Sequence, residues 1–193
     1  MQPPIFALLV GINHYASPSI PDLGGCVNDV RRAVYKVTLV PATQIKMLLD
    51  QQATYDAVKS TFRQHLIDDL RAFIERQQAN PEPTNTALPA VLFHFSGHGS
   101  QARDESGQEP DGLDETLVCH DSRLPGVFDL KDWELGRLLD EVAQYTDNIT
   151  VILDCCHSGS GTRHDKESHD KEIITHIRSC DRTSVHSQLN DLC

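Results

Sequence analysis

Hydrophobic residues group along this chain into four short runs, which predict buried strands rather than strands that alternate at a surface. The runs are IFALLVGIN (residues 5–13), IKMLLD (45–50), AVLFHFSGH (90–98) and ITVILDCC (149–156). The second run is shorter and more polar in its surroundings, which fits an outer strand. The other three predict the centre of a sheet.

Between these runs, apolar residues recur every three or four positions, as on one face of an amphipathic helix. This pattern predicts helices over residues 28–40, 54–77 and 132–145. Strands that alternate with helices favour an α/β fold, with a mostly parallel central sheet and helices on both of its faces.

The composition changes near residue 161, after which the chain is polar, rich in histidine and rich in charges of both signs. We therefore expect a folded domain over residues 1–162 and a polar loop or C-terminal tail over residues 163–193. Residues 172–178 predict a short helix or strand within that tail.

Net charge and cysteine usage narrow the function classes. A formal net charge of −11 over 193 residues argues against nucleic acid as a partner, because phosphate backbones bind surfaces rich in lysine and arginine. The first apolar run is too short to cross a membrane and has no basic lead-in, so we expect no membrane association and a cytoplasmic protein. In that reducing setting, the six cysteines are expected to be thiols rather than disulfides.

Two of the predicted strands end in reactive residues, in the stretches HFSGHGS (94–100) and DCCHSG (154–159). Ligands bind outside the carboxyl ends of strands in such sheets, so the two strand ends are expected to lie side by side. Three kinds of site compete: a redox pair of Cys155 and Cys156, a zinc site, or a cysteine nucleophile. Adjacent cysteines bridge only with strain, and strand alternation points them to opposite sides, which disfavours the first two.

A nucleophilic site fits these residues better. A thiol becomes reactive when a nearby histidine takes its proton, and the same histidine can later protonate a leaving amine. His98 lies between Gly97 and Gly99, which let the backbone approach a substrate closely. The backbone amides of Gly99 and of the nucleophile could then share one oxyanion site.

Four motifs in this order, GGCVND, HFSGHGS, DGLDETLV and DCCHSG, resemble those of the metacaspases and their relatives among the caspase-like cysteine peptidases. The resemblance covers residues 5–160. It implies a caspase-hemoglobinase-like fold and a His/Cys dyad that cleaves peptide bonds, with His98 as general base and acid. Cys156 would be the nucleophile, and Cys155 would point into the core.

The same resemblance, together with charge, predicts the substrate pocket. Asp29 and Asp154 would lie near the dyad, and two carboxylates favour a substrate with arginine or lysine just before the cut bond. Cys26 and Ser96 would line this pocket. Asp29 would also suit the N-terminus of a helix, where the helix dipole favours an acid.

Calcium is the one cofactor that the resemblance implies, since many metacaspases require it. Asp114 matches one calcium ligand of the family and Asp132 another, although Trp133 stands where the family often has a second acid. A further expected acid is replaced by GTRHD, with Asp165 displaced.

The family pattern also includes a small subunit after the nucleophile strand, and no pair of further strands is evident here before Cys193. Three explanations fit: a fragment that holds the large subunit, a small subunit supplied by another chain, or a degenerate protein. The resemblance implies a small subunit as a partner and self-cleavage in the polar tail after a basic residue. The alternative function is a catalytically weak caspase-like interaction module in a signalling or defence protein.

Overall fold

Eight strands and four helices make up the fold in a computed structural model, which describes residues 3–37, 43–79, 88–104, 107, 112–155 and 173–177. The strands are β1 (Ile5–Gly11), β2 (Gln44–Leu49), β3 (Ala90–Ser96), β4 (Gly99–Arg103), β5 (Leu113–Leu117), β6 (Leu130–Lys131), β7 (Ile149–Asp154) and β8 (Ile173–Ile177). The helices are α1 (Cys26–Val37), α2 (Tyr55–Thr61), α3 (Leu70–Ala79) and α4 (Asp132–Val142).

The main sheet has the strand order β2-β1-β3-β7-β8. Its first four strands are parallel, and β8 pairs antiparallel with β7. The four strands predicted from the hydrophobic runs are confirmed, each ending one or two residues earlier than predicted. The short segment expected in the polar tail is a strand of this sheet, while the expected boundary at residue 162 lies outside the described residues.

Helices cover both faces of the sheet, because the side chains of β1 alternate between two cores. Phe6, Leu8 and Val10 join the larger core, which includes residues of α2, α3 and α4. Ala7 and Leu9 pack on the opposite face with Val30 of α1. The expected α/β architecture with helices on both faces is therefore confirmed.

The long helix predicted over residues 54–77 is present but is not uniform. A π-helical stretch (Phe62–Asp69) joins α2 to α3. Within it, the buried His65 donates from Nε2 to the carbonyl oxygen of Gln44, 3.1 Å away, and its Nδ1 lies 3.2 Å from Asp69. The hydrophobic spacing alone cannot reveal such a stretch, because the apolar side chains still face the sheet.

A second, antiparallel sheet has the order β4-β5-β6. It follows directly from β3, since only Gly97 and His98 separate β3 from β4. Hydrophobic runs did not predict this sheet because its strands are short and polar. In the described part of the chain, every helix is too short or too polar to cross a membrane.

Candidate active site

The carboxyl ends of three neighbouring strands lie in register at one edge of the main sheet. Gly11, the last residue of β1, pairs with Ser96, the last residue of β3, and Ser96 pairs with Asp154, the last residue of β7. The backbone N–H of Gly97 donates to the carbonyl oxygen of Asp154 at 3.2 Å. The loops that leave these strands therefore start side by side, as expected for a site at this edge.

A cavity of about 500 Å³ opens at this edge. It brings together five of the residues predicted from the sequence: Cys26, Asp29, His98, Gly99 and Asp154. The walls are completed by Ile20, Pro21, Leu23, Gly24, Gly25, Gly97, Val118, Arg123 and Cys155. Residues from four separate parts of the chain thus share one concave site.

His98 is held in this cavity by two contacts with the loop that follows β1. Its Nε2 lies 2.8 Å from the carbonyl oxygen of Pro21. Its backbone N–H donates to the hydroxyl oxygen of Tyr15 at 2.8 Å, and the two rings lie 5.2 Å apart between centroids. A carbonyl oxygen only accepts, so Nε2 carries the proton and Nδ1 is the acceptor nitrogen of the neutral ring.

The loop that carries Pro21 and Tyr15 is itself anchored by carboxylates. Asp50 accepts the backbone N–H groups of Asn13 and His14 at 2.8 and 3.0 Å. Asp22 lies 2.9 Å from Nδ1 of His14, and this contact raises the pKa of His14 and lowers that of Asp22. The position of the His98 ring therefore depends on groups that do not line the cavity.

Two carboxylates lie on the Cys26 side of the cavity. Ser96 donates from its hydroxyl to Asp154 at 2.9 Å, which fixes the orientation of that carboxylate. Asp29 lies in the first turn of α1, as the helix-dipole interpretation expects, and is 3.7 Å from the exposed Arg32. Burial raises the pKa of the Cys26 thiol; the Ser96 hydroxyl opposes this shift, and the charges of Asp154 and Asp29 add to it.

Cys156, the predicted nucleophile and one of the two predicted oxyanion donors, lies outside the described residues. Its role therefore stays a prediction. The preceding Cys155 is 8% exposed and belongs to the larger hydrophobic core. This burial agrees with the expectation that Cys155 faces inward.

The two predicted calcium ligands belong to neighbouring elements, because Asp114 is on β5 and Asp132 directly follows its partner strand β6. Asp114, on β5, is 3% exposed at its side chain, and its carboxylate lies 2.7 Å from the ammonium group of Lys131. Asp132 begins α4, where its carboxylate accepts the backbone N–H of Trp133. Across the described ranges, no three His, Cys, Asp or Glu side chains are grouped so as to hold a metal ion.

The described residues therefore do not fit a calcium site, because a lysine already supplies the positive charge beside Asp114. Asp165 lies outside the described residues. For a zinc site at the two strand ends, His94 and His157 would be candidate ligands. His94 is buried within β3, and His157 lies outside the described residues.

Three site residues were missed by sequence reasoning. Pro21 acts through its backbone oxygen, which no side-chain motif reports. Tyr15 is 83 positions from its partner His98. Arg123 lies in a polar stretch that is not part of any recognised motif. Only the fold brings Pro21 and Arg123 to the cavity wall and Tyr15 to His98.

Comparisons with known proteins identify the family of this chain. A family model described as metacaspase, peptidase C14 domain, matches residues 6–164. Metacaspase-1 of Pyricularia oryzae is 30% identical over 155 residues, which cover 80% of this chain and 36% of that protein. Metacaspase-1 of Schizosaccharomyces pombe is 30% identical over 161 residues, covering 79% and 33%. This chain thus spans about a third of the length of these relatives.

A solved structure gives the same fold. Protein GSU0716 from Geobacter sulfurreducens superposes with a TM-score of 0.52 at 25% sequence identity, covering 82% of this chain and 52% of that one.

Proposed function

Because this chain belongs to the metacaspase family, peptidase C14, we propose that it is the large-subunit region of a cysteine endopeptidase that cuts after arginine or lysine. The observation that carries the proposal is His98, held by the Pro21 carbonyl oxygen inside a concave site at the carboxyl edge of the sheet. Asp29 and Asp154 lie in the same cavity. The three features together match a base beside a pocket for a cation.

The dyad would work as follows. The Nδ1 atom of His98 takes the proton from the Cys156 thiol, and the resulting thiolate attacks the scissile carbonyl carbon. The oxyanion that forms accepts hydrogen bonds from the backbone amides of Gly99 and Cys156. His98 then gives its proton to the leaving amine, and it activates the water that hydrolyses the acyl-enzyme.

The Pro21 carbonyl supports both halves of this cycle. When His98 gains a proton, the ring carries a positive charge, and the Nε2–H bond to the Pro21 oxygen becomes a charge-assisted hydrogen bond. The protonated ring is therefore stabilised where it forms. The same bond prevents the ring from turning Nε2 toward the thiol.

Substrate preference follows from the charge of the pocket. The Asp154 carboxylate, oriented by Ser96, and the Asp29 carboxylate present negative charge to a substrate side chain. The raised pKa of Cys26 keeps this thiol neutral, so it lines the pocket without adding charge. An arginine or lysine side chain complements this arrangement, and a leucine side chain brings no positive charge to the two carboxylates.

The remaining parts of the proposal concern a partner and processing. We propose that a small subunit completes the substrate cleft, since the chain spans about a third of its relatives. Self-cleavage would occur in the polar segment that follows β7, which contains Arg163, Lys166, Lys171, Arg178 and Arg182. All five lie outside the described residues.

No step of this mechanism uses calcium. The positive charge that Asp114 requires comes from Lys131, so we propose that catalysis does not depend on added calcium.

The experiment is covalent labelling with a thiol-reactive probe that carries an arginine. We expect the label on Cys156 and expect it to be lost in the His98→Ala variant. Cys155→Ala is the matched control within the cysteine pair and should be labelled normally. Labelling that depends equally on both cysteines would contradict the assignment of the nucleophile, and no labelling at all would favour an interaction module.

Asp29→Asn tests the pocket. It removes one of two negative charges, and we expect kcat/KM for arginine substrates to fall about tenfold. An unchanged preference for arginine over leucine would contradict the carboxylate pocket.

A further inference from the structure

One positive charge lies in the otherwise acidic cavity. Arg123 is part of the same cavity wall as His98, Asp29 and Asp154. It belongs to the loop between β5 and β6, whereas Cys26 belongs to α1. A pocket that only had to bind a basic residue would gain nothing from an arginine.

The guanidinium group of Arg123 is held in place by two contacts that do not occupy all of its N–H donors. Its Nη2 donates to the hydroxyl of Ser100 at 2.8 Å and lies 3.6 Å from the carboxylate of Asp129. The Asp129 side chain is 10% exposed, whereas that of Arg123 is 43% exposed. A guanidinium has five N–H donors, so donors remain for a ligand in the cavity.

The backbone of Arg123 supports a functional role for its side chain. Its φ angle is +64°, in the left-handed region that glycine or asparagine adopts at much lower cost. A residue held in such a conformation at the wall of a cavity points to a function of the side chain.

Two serines on either side of His98 in the sequence hold charged cavity residues of opposite sign. Ser96 holds Asp154, and four residues later Ser100 holds Arg123. His98 lies midway between the two serines in sequence, at the bend from β3 into β4. We take a peptide with its basic side chain beside Asp154 and its scissile bond at His98 to extend its leaving-group side toward Arg123, which lines the same cavity.

We propose that Arg123 binds the carboxylate of an acidic substrate residue at the first or second position after the cut bond. The inference rests on the proposed function, because it needs the basic residue and the scissile bond to be placed as described there. The substrate class is then a protein segment in which Arg or Lys is followed closely by Asp or Glu.

The test uses internally quenched peptides that are identical up to the arginine before the cut bond. Glu, Gln or Lys occupies the two positions after it. For the unaltered protein, with a small subunit present if one is required, we expect kcat/KM to be about tenfold higher with Glu than with Gln, and lowest with Lys. In Arg123→Asn, which removes the charge but tolerates the positive φ, the three peptides should be cleaved alike.

Two controls separate a specificity role from a structural one. Arg71 lies on α3, away from the cavity, and is paired with Asp68 of the π-helical stretch. Its replacement in Arg71→Asn should leave the preference for Glu intact. Arg123→Lys keeps the charge and should keep part of that preference. If Arg123→Asn slows all three peptides equally and lowers the melting temperature, Arg123 only supports Asp129, and the inference is overturned.

Binding to the Cys156→Ala variant distinguishes failure of this inference from failure of the proposed function. Fluorescence anisotropy with the same peptides reports their affinities without any cleavage. Tighter binding of the Glu peptide that is lost on Arg123→Asn supports the inference even if the protein cleaves nothing. Efficient cleavage after arginine with equal rates and affinities for Glu and Gln overturns the inference and leaves the proposed function intact.

Discussion

Tyr15→Phe removes the acceptor for the His98 backbone N–H and keeps the aromatic ring. The lost bond is 2.8 Å long, and the ring contact with His98 at 5.2 Å between centroids does not involve the hydroxyl. A donor left without a partner costs about 1–3 kcal/mol of folding stability, and we expect about 1 kcal/mol here because both residues are half-buried and water can partly replace the oxygen. In a chain of this size, that lowers the melting temperature by about 2–4 °C.

The same substitution should affect catalysis more than stability. His98 is held at only two points by the loop after β1, and Tyr15 supplies one of them. A small displacement of a catalytic base slows the reaction strongly, so we expect kcat to fall about tenfold while KM changes little. Chemical denaturation gives the free energy of unfolding, and steady-state kinetics with an arginine peptide gives kcat and KM.

Tyr55→Phe is the matched control. The Tyr55 hydroxyl donates to Glu134 at 2.6 Å and accepts from Lys59 at 2.8 Å, between α2 and α4. Its loss should lower stability by a similar amount and leave kcat unchanged. If both variants lose the same small fraction of kcat, or if Tyr15→Phe loses stability alone, the loop does not position His98 and the reasoning is wrong.

Three other measurements test separate features. Gly11→Ala places a methyl group 2.9 Å from a side chain of α1, and this overpacking should cost about 1–3 kcal/mol of unfolding free energy; unchanged stability would mean that the helix moves freely. The pKa of His14, followed by NMR, should lie above its ordinary 6.5, so its contact with Asp22 stabilises the loop below pH 6.5 and is lost as the pH rises through the raised pKa. Because the pKa of Asp22 is lowered, the contact is also lost in strong acid, and Asp22→Asn should return His14 to its ordinary value; an unshifted His14 would contradict the contact. Activity should be equal in a chelator and in millimolar calcium, because Lys131 supplies the positive charge beside Asp114. Strong calcium activation of the unaltered protein would contradict this.

The main sheet and its helices were predictable because their signals are local. A buried parallel strand is a continuous apolar run, and an amphipathic helix repeats every three or four residues, so β1, β3, β7 and α4 were predicted within a few residues. The carboxyl-edge rule then placed His98 together with Asp154, although 56 positions separate them in the sequence. Asp29 followed from charge and from the resemblance.

What the sequence could not reveal depends on partners brought together by the fold. The strands β4, β5 and β6 are polar and short, and they are strands only because they pair with one another. The Pro21 oxygen has no side-chain signature. The ion pair of Lys131 with Asp114 links adjacent strands, and no spacing rule identifies it in advance.

The register of the central strands determines when the cavity can form during folding. The cavity exists only after β3 has paired with both β1 and β7, which lie 85 and 58 positions away at the matched residues Gly11 and Asp154. Contacts between such distant segments form slowly and late in folding. Under the proposed function, a nascent or partly folded chain therefore lacks the cleft needed to cut its neighbours on the ribosome, and cleavage becomes possible only when the core strands have assembled.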